Sequence, residues 1–224
     1  MPEIPEWFRP VAEYMLREGL PVTLKIAAVA VTASALIGIL LGTLMTINFL
    51  PLRSVIRFYI EVWRGLPILV TLFLVFFLLP VLNPRLEFDA LISASIALTL
   101  WGSAQVAEAT RGAVQSIPKE QHEAAAALGL GWIGRHAFVI VPQAVRRLLP
   151  PMVGLLVNII QNTTIAYAIG VSELLETGNR QFENLTLQTG NGHPFVIFGF
   201  ILMIFFIISF PLTLLARYLE RRLV

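Results

Sequence analysis

Long apolar stretches alternate along the chain with shorter polar connections. A helix needs about 20 largely apolar residues to cross the hydrocarbon core of a bilayer. Five stretches meet this requirement, namely Leu20–Phe49, Ile56–Leu82, Ala90–Val114, Leu149–Val171 and Phe195–Leu219. The pattern therefore predicts an all-α, polytopic membrane helical bundle with five transmembrane helices, in which residues 20–224 form a single transmembrane domain.

Residues 1–19 carry a different pattern. Trp7, Val11, Tyr14 and Met15 recur at helical spacing, and acidic residues stand between them. This arrangement predicts a short amphipathic helix on the outer surface of the membrane. A disordered tail is the alternative for residues 1–6. No basic segment precedes an apolar core here, so the segment is not expected to be a signal peptide.

The composition supports a membrane protein. The chain is 57% hydrophobic and only 13% charged, far from the averages of soluble proteins. The charges are dispersed and form no basic stripe, which argues against nucleic-acid binding. Cysteine is absent and the histidines lie far apart in the sequence, so we expect no metal site.

The basic residues predict the orientation of the chain in the membrane. The side that holds the first connection, residues 115–148 and the C-terminus carries Arg53, Arg57, Arg111, Lys119, Arg135, Arg146, Arg147, Arg217, Arg221 and Arg222. The opposite side carries Arg9, Arg17, Lys25, Arg85 and Arg180. Because positive charge accumulates on the cytoplasmic side, we expect the N-terminus outside and the C-terminus in the cytoplasm. Residues 115–148 then form a cytoplasmic connection.

The predicted fourth span is unusually polar. Lipid satisfies no hydrogen bonds, so polar side chains in a span must face a cavity or another helix. The candidates for a substrate-binding site are Asn158, Gln161, Asn162, Thr163 and Thr164. Hydrogen bonds that join two copies of the chain are the alternative role for these residues.

Two segments repeat the form Glu-x-x-Arg-Gly near the cytoplasmic ends of the second and third spans. They place Glu61 with Arg64, and Glu108 with Arg111. A charge within the hydrocarbon costs at least about 2.5 kcal/mol, so these residues should pair. Pairing within each motif, three residues apart on one helix face, and pairing between the two helices are both possible. These charged residues have a structural role, or alternatively they form a gate.

Small residues recur at every fourth position of the first span, at Ser34, Gly38, Gly42 and Thr46. This spacing puts them on one helix face, where small side chains let another helix backbone approach closely. We therefore expect a tightly packed helix pair at this face.

The connection 115–148 contains an alanine-rich segment between Pro118 and Gly129. Proline favours the start of a helix, glycine in a left-handed conformation favours its end, and alanine favours the helix between them. Alanine also keeps a helix thin, so another surface can approach it. A solvated linker helix is the alternative.

These segments resemble the permease subunits of ATP-binding cassette (ABC) importers. Glu123-Ala124-Ala125, then Gly129 and Val139-Ile140-Val141-Pro142, resemble the cytoplasmic "EAA" signature of that family. Tyr59-Ile60-Glu61-Val62-Trp63-Arg64-Gly65-Leu66-Pro67 is similar to the "Y-x-E-x-x-R-G-T-P" segment of polar-amino-acid permeases. Ala107 to Pro118 and Pro142 to Pro151 carry further family segments, so the resemblance covers the chain from about residue 14 to its end.

The resemblance implies a type I ABC importer permease-like fold whose cytoplasmic coupling helix docks on an ATPase. The residues that it assigns to this coupling are Glu123, Ala124, Ala125, Gly129 and Pro142. The chain is then not an enzyme and holds no cofactor, because a separate ATPase dimer binds and hydrolyses ATP. The other implied partners are membrane lipid, a second permease copy or a similar permease, and an extracytoplasmic substrate-binding protein.

The resemblance also implies the location and the substrate. The chain is expected in a bacterial plasma (inner) membrane, and the substrate is a polar amino acid, such as glutamate, aspartate or their amides. Family members carry Lys where this chain has Gln161, which weakens the case for direct pairing with a substrate carboxylate. A secondary transporter or channel without an ATPase is the alternative function. A membrane anchor or sensor is a third, against which the polar fourth span argues.

Overall fold

A computed structural model describes residues 5–223, without the side chain of Trp132. All regular structure in these residues is helical. The helices are α1 (Phe8–Leu44), α2 (Leu50–Gly65), α3 (Ile68–Leu82), α4 (Ala90–Gln115), α5 (Lys119–Ala127), α6 (Ile133–Ile169), α7 (Leu174–Thr189) and α8 (Pro194–Leu223). A short 3₁₀ turn, Pro84–Leu86, follows α3.

Local sequence chemistry accounts for several helix ends. The side chain of Asp89 accepts a hydrogen bond from the backbone N–H of Ile92 at 2.8 Å and caps the start of α4. Pro51 stands in the first turn of α2, where the missing N–H costs nothing. Gly190 ends α7 with a φ of +75°, a conformation that favours glycine.

Four of the described helices are long and apolar enough to cross a membrane: α1, α4, α6 and α8. A fifth crossing exists if α2 and α3 are taken together. The predicted fold class, an all-α membrane bundle, is therefore confirmed, and the number of crossings is five when α2 and α3 count as one. Individual boundaries differ from the predicted ones.

The predicted second span, Ile56–Leu82, is not one continuous helix. Helix α2 ends at Gly65, and Leu66 adopts an extended conformation with φ −81° and ψ 138°. Pro67 causes this break, because a proline disfavours helical backbone at the preceding residue and has no N–H to donate. The apolar composition of the segment thus indicates a crossing, and the proline within it divides that crossing into two helices.

The segment before the first span also differs from its prediction. Residues 8–19 continue into the span without a break, through a π-helical turn at Met15–Gly19. The apolar face formed by Trp7, Val11 and Met15 packs against other helices of the protein. A separate helix lying on the membrane surface is therefore not observed. Residues 1–4 of the predicted segment lie outside the described residues.

Two predicted connections contain more helix than expected. Within 115–148 the chain is helical again from Ile133 onward, so α6 begins well before the predicted fourth span. Within 172–194 it forms α7. Both segments are more polar than a span, and hydropathy alone therefore assigns them to connections.

The described chain divides into two compact units. The first contains the described residues up to Ala30, with Ile68–Leu98 and Asn158–Phe210. The second contains Val31–Pro67, Thr99–Val157 and the described residues from Pro211 onward. Each of the four long helices contributes residues to both units, so the units are not successive domains of the chain.

In the first unit, the beginning of α1 packs against α7 and α8. The core contains Val11, Met15, Leu174, Ile197 and Ile201, all of them buried. A Cβ atom at Gly19 would lie 2.9 Å from the Cα atom of Leu174, so only glycine permits this approach of the two backbones. The packing explains why α1 extends beyond the length needed for a crossing.

A buried carboxyl group lies at the start of α7. Glu173 is 0% exposed, and its side chain accepts hydrogen bonds from the backbone N–H groups of Leu175 at 3.0 Å and Glu176 at 2.9 Å. Burial raises the pKa of Glu173 to about 7, in spite of these two donors. The group therefore holds its proton in the folded protein at pH values where an exposed glutamate has lost it.

This shift predicts a pH-dependent stability. The folded-state pKa of Glu173 lies above the ordinary value of 4.5, so its contribution to stability is largest below pH 4.5 and is lost as pH rises through about 7. The free energy of unfolding should fall over this window by on the order of 1 kcal/mol per pH unit. Thermal unfolding of the purified protein between pH 4.5 and 8 measures the slope, which should flatten in Glu173→Gln. Glu183→Gln, an exposed position on α7, is the control, and equal slopes in all three proteins would contradict the assignment.

In the second unit, the predicted small-residue face of α1 packs on α4. A Cβ atom at Gly42 would lie 2.6 Å from the Cβ of Thr110 and would overlap the carbonyl oxygen of Ala107. A Cβ atom at Gly38 would lie 2.7 Å from the carbonyl oxygen of Ser103. The two backbones are thus in direct contact along this face, as the spacing predicts.

Candidate functional site

Helix α5 is the alanine-rich helix expected from the sequence. Pro118 precedes its first residue with a φ of −58°, and Gly129 follows its end with a φ of +76°. The N–H of Leu130 donates to the carbonyl oxygen of Ala125 at 3.1 Å, and the N–H of Gly129 donates to that of Ala126 at 2.9 Å. These two bonds form a Schellman motif, which fixes the direction in which the chain leaves the helix.

Helix α5 has an inner and an outer face. Ala125 is only 2% exposed, so this side of α5 is covered. Glu123 and Ala124 are exposed, and so is Leu128, at 81%. The residues that the resemblance assigns to coupling are thus divided, with Ala125 directed inward. The outer face exposes an acidic and an apolar side chain, and it includes Leu128, which the sequence pattern does not single out.

The beginning of α6 holds α5 in place. The side chain of Gln143 donates to Gln121 Oε1 at 3.2 Å, and Arg147 donates to Ser116 Oγ at 2.9 Å. An apolar cluster of Ile117, Ile140 and Ala144 lies between the two segments. Pro142 is exposed on α6. The two halves of the signature therefore correspond to two helices that pack against each other.

The two Glu-x-x-Arg-Gly segments lie on α2 and α4 and form different contacts. Arg111 Nε donates to Glu108 Oε2 at 2.9 Å, which is the pairing within one motif. Glu61 instead pairs with Arg57, at 3.3 Å between Oε1 and Nη1. Pairing of Glu61 with Arg64 is one of the two arrangements that the sequence allows, and the structure shows Glu61 with Arg57 instead, one turn earlier in an i, i+4 geometry.

Residues outside the two motifs complete this cluster. Arg57 also lies 3.7 Å from Glu108 and so connects α2 to α4. Arg64 Nε donates to Gln105 Oε1 at 3.2 Å, which is a second connection between the same helices. The pairing is therefore both within and between helices, and its polar contacts join α2 to α4.

The polar residues of the fourth span lie at the end of α6, in the first unit. Regular α-helix ends at Asn162, and residues Thr163–Ile169 form a 3₁₀ helix that ends at Gly170 with a φ of +80°. Asn162 Nδ2 donates to the backbone carbonyl of Asn158 at 2.8 Å. Thr163 and Thr164 donate to the carbonyls of Ile160 at 2.8 Å and Gln161 at 2.9 Å. The hydroxyl groups thus satisfy the carbonyls at the transition between the two helix types.

The side chains of Asn158 and Gln161 are exposed, whereas Thr163 is buried. The structure thus places Asn158 and Gln161 as a pair of amides, one turn apart, with Asn162 directed back to its own helix. The sequence between Arg147 and Glu173 contains no aspartate, glutamate, lysine, arginine or histidine, so the neighbourhood in sequence is electrically neutral. Amides offer both donors and acceptors, which suits recognition of a polar solute or of a partner helix.

Comparison with known proteins gives the context for this geometry. A profile of the family described as "Binding-protein-dependent transport system inner membrane component" matches residues 15–224. The chain is 35% identical over 207 residues to the probable glutamine ABC transporter permease protein GlnP of Bacillus subtilis (strain 168), which covers 92% of this chain and 93% of that protein. It is 34% identical over 209 residues to the glutamine transport system permease protein GlnP of Escherichia coli (strain K12), which covers 93% of each chain.

Solved structures agree with the fold. A chain in the crystal structure of an amino acid ABC transporter with histidines matches with a TM-score of 0.81 at 29% identity, over 96% of this chain and 95% of that chain. A chain of the MetNI methionine ABC transporter in an inward-facing conformation matches with a TM-score of 0.77 at 18% identity, a likeness of fold alone. The expected permease-like fold is confirmed. The chain belongs to the family of binding-protein-dependent transport system inner membrane components and is a multi-pass permease subunit of an ABC importer.

Proposed function

We propose that this permease carries a polar amino acid with a side-chain amide, such as glutamine, across the bacterial inner membrane. The observation that carries the proposal is the exposed amide pair of Asn158 and Gln161 in an electrically neutral part of α6. An amide side chain on the solute can exchange donor and acceptor with each of these groups. A carboxylate side chain, as in glutamate, would find no cation in this part of the helix.

The names of the relatives support this choice. Both GlnP proteins are described as glutamine permeases. Of the substrates expected from the sequence, the amides are therefore favoured over glutamate and aspartate. Asn162, Thr163 and Thr164 serve in this proposal to shape the transition to 3₁₀ helix, and the two exposed amides contact the solute.

Transport is proposed to depend on partner subunits. The outer face of α5 docks on an ATPase dimer, whose closure on ATP moves α5 and switches the permease between inward-facing and outward-facing states. A second permease copy, or a similar permease, completes the passage, and an extracytoplasmic protein delivers the solute. The chain itself requires no cofactor. The basic residues support an N-terminus outside and a C-terminus in the cytoplasm.

The substrate proposal is tested by removing the amides. The permease is reconstituted with its ATPase and binding protein in liposomes, and uptake of labelled glutamine and glutamate is measured. Asn158→Leu and Gln161→Leu should each lower glutamine uptake by about tenfold, because each removes a hydrogen bond that a dry passage cannot replace with water. Assembly with the ATPase should stay unchanged.

Asn184→Leu, the same replacement at an exposed position on α7, is the matched control and should transport normally. Unchanged uptake in Asn158→Leu and Gln161→Leu, together with weaker association of permease copies, would show that the amides join helices and do not contact solute. Uptake that persists without ATP or the ATPase would favour the secondary transporter or channel.

A further inference from the structure

The second unit contains a polar cavity of about 460 Å³ that the transport proposal does not use. One side of it is formed by the end of α1 and the connection to α2. The other side is formed by the end of α4, by α5, and by the π-helical turn of α6 that begins at His136. Four basic side chains line it, those of Arg53, Lys119, His122 and His136. Neutral donors and acceptors come from Asn48 and Gln115.

No acidic side chain is among the described residues that line this cavity. Glu108, an acidic residue of the same unit, is paired with Arg57 and Arg111 and does not line the cavity. The pKa of His122 lies below its ordinary value, first through burial and then through repulsion from Arg135 and His136. The lowered pKa keeps His122 mainly neutral and shows that the local potential is positive. Arg53 and Lys119 carry the fixed positive charge, and no lining residue that the structure describes supplies a carboxylate, which is a favourable condition for binding an anion.

A further basic residue, Arg135, stands near the cavity. The Nε of Arg135 is buried and has no hydrogen-bond partner among the described residues. A buried guanidinium nitrogen without an acceptor is costly. Arg135 acts on His122 electrostatically, so it adds a cation close to the cavity. Arg135 does not line the cavity, and its contribution is the positive potential that it adds there. This potential favours an anion such as a phosphate group, whose oxygens can accept several hydrogen bonds at once from the lining side chains.

The position of the cavity favours a lipid as the source of the phosphate. Asn48 is followed directly by Phe49 and Leu50, which are 57% and 76% exposed. These side chains stand where a first span meets its polar connection, the level at which headgroups lie, and basic pockets on the cytoplasmic side bind such headgroups. A soluble phosphate would make no contact with the apolar side chains of Phe49 and Leu50, whereas the acyl chain of a lipid would cover them.

We propose that this cavity binds the phosphate headgroup of an anionic lipid of the cytoplasmic leaflet, and that the bound lipid holds α5 in the position needed for coupling. The proposal rests on the orientation and the coupling role proposed above. His122 lies on the inner face of α5 with Ala125, and Glu123 and Leu128 lie on the outer face. A headgroup between Arg53 and His122 would therefore connect α5 to the start of α2 while leaving the docking face free.

The first test measures lipid binding by the permease alone. The purified chain is exchanged into mixed micelles that contain phosphatidylglycerol and phosphatidylcholine, and the lipid retained is identified by native mass spectrometry. The parent should retain phosphatidylglycerol selectively. The double variant Arg53→Gln/Lys119→Gln should retain about tenfold less, because each basic residue near a phosphate contributes to binding.

Arg146→Gln/Arg217→Gln is the matched control, since both residues are exposed and neither lines the cavity. It should retain lipid like the parent. Arg53→Lys/Lys119→Arg keeps both charges and should restore retention, which separates the loss of charge from a folding defect. Equal retention by the parent and by Arg53→Gln/Lys119→Gln would overturn the proposal.

The second test measures function in liposomes of phosphatidylcholine with or without phosphatidylglycerol. ATP-driven uptake by the parent should rise several-fold with phosphatidylglycerol, and the cavity variant should lose this increase. Inorganic phosphate added to phosphatidylcholine liposomes should have no effect, and an equal stimulation by it would assign the cavity to soluble phosphate and overturn the lipid. If the transport proposal were wrong, ATP-driven uptake would be absent in every liposome while selective lipid retention persisted, so the two failures are distinguishable.

Discussion

Gly129→Val should lower ATP-driven uptake at least about tenfold while leaving the amount of protein in the membrane unchanged. Gly129 has a φ of +76°, and a Cβ atom there would meet nothing within 4 Å. The substitution therefore acts through the backbone alone. A left-handed conformation costs an L-residue roughly 1–2 kcal/mol, and a β-branched residue more. Relief of this strain would redirect the chain that leaves α5 and disrupt the Schellman motif.

The size of the transport defect depends on how many molecules still adopt the conformation that docks on the ATPase. If the conformation that docks on the ATPase becomes about 2 kcal/mol less favourable, its equilibrium constant falls more than tenfold, and so does its population once alternative conformations compete with it. Uptake should fall by at least this factor. Glu123→Lys should act in the same direction, because it reverses the charge of an exposed side chain on the outer face of α5. Complex yield with the ATPase, uptake, and hydrolysis stimulated by the binding protein are measured together.

Gly131→Val is the matched control, because a Cβ atom there also meets nothing within 4 Å and its φ is not positive. Gly129→Asn should retain much of the activity, since asparagine tolerates the left-handed region. Normal uptake and normal stimulated hydrolysis in both Gly129→Val and Glu123→Lys would show that α5 is a solvated linker. The family assignment would then stand on similarity, without a coupling role for this helix.

The largest effect on folding is expected at the contact of α1 with α4. Gly42→Ala forces a Cβ atom against the carbonyl oxygen of Ala107 and the side chain of Thr110, and backbone cannot yield as a flexible side chain can. Overpacking of this kind costs about 1–3 kcal/mol per site. The double variant Gly38→Ala/Gly42→Ala should therefore leave little folded protein. Gel-filtration profiles and thermal midpoints of the detergent-solubilised protein give the measurement.

Gly199→Ala supplies the control for helix propensity, because it is also a glycine in a long helix and a Cβ atom there meets nothing within 4 Å. It should be neutral or slightly stabilising, as alanine favours helices over glycine. If Gly38→Ala/Gly42→Ala matched Gly199→Ala in yield and midpoint, the close contact would not exist in the membrane.

Features set by local chemistry can be predicted from the sequence. The start of α5 after Pro118 and its end before Gly129 depend on the φ preferences of those two residues, and the structure confirms both. The break at Leu66 is equally local, since it follows from the restriction that Pro67 places on the residue before it, but the apolar pattern that predicts the spans does not contain this signal. The spans are recognisable because a run of about 20 apolar residues matches the thickness of the hydrocarbon core.

Features that depend on distant residues cannot be predicted in this way. The apolar face of Trp7, Val11 and Met15 is visible in the sequence, but a hydrophobic pattern does not say whether lipid or Leu174 covers it. Glu61 pairs with a neighbour outside its motif because two acceptable spacings compete on one helix. The basic cavity unites residues from separate segments, so only the fold brings them to one place.

The break at Leu66 has a consequence for hydrophobic thickness. Helix α3, Ile68–Leu82, is only about 22 Å long at 1.5 Å per residue, whereas the hydrocarbon core is about 30 Å thick. The remaining depth has to come from the extended residues before α3 and part of α2, or from a thinner bilayer beside it. Lipids with longer acyl chains should therefore disturb this crossing before they disturb α1 or α8. The polar backbone groups at Leu66 must be shielded from lipid by protein or water.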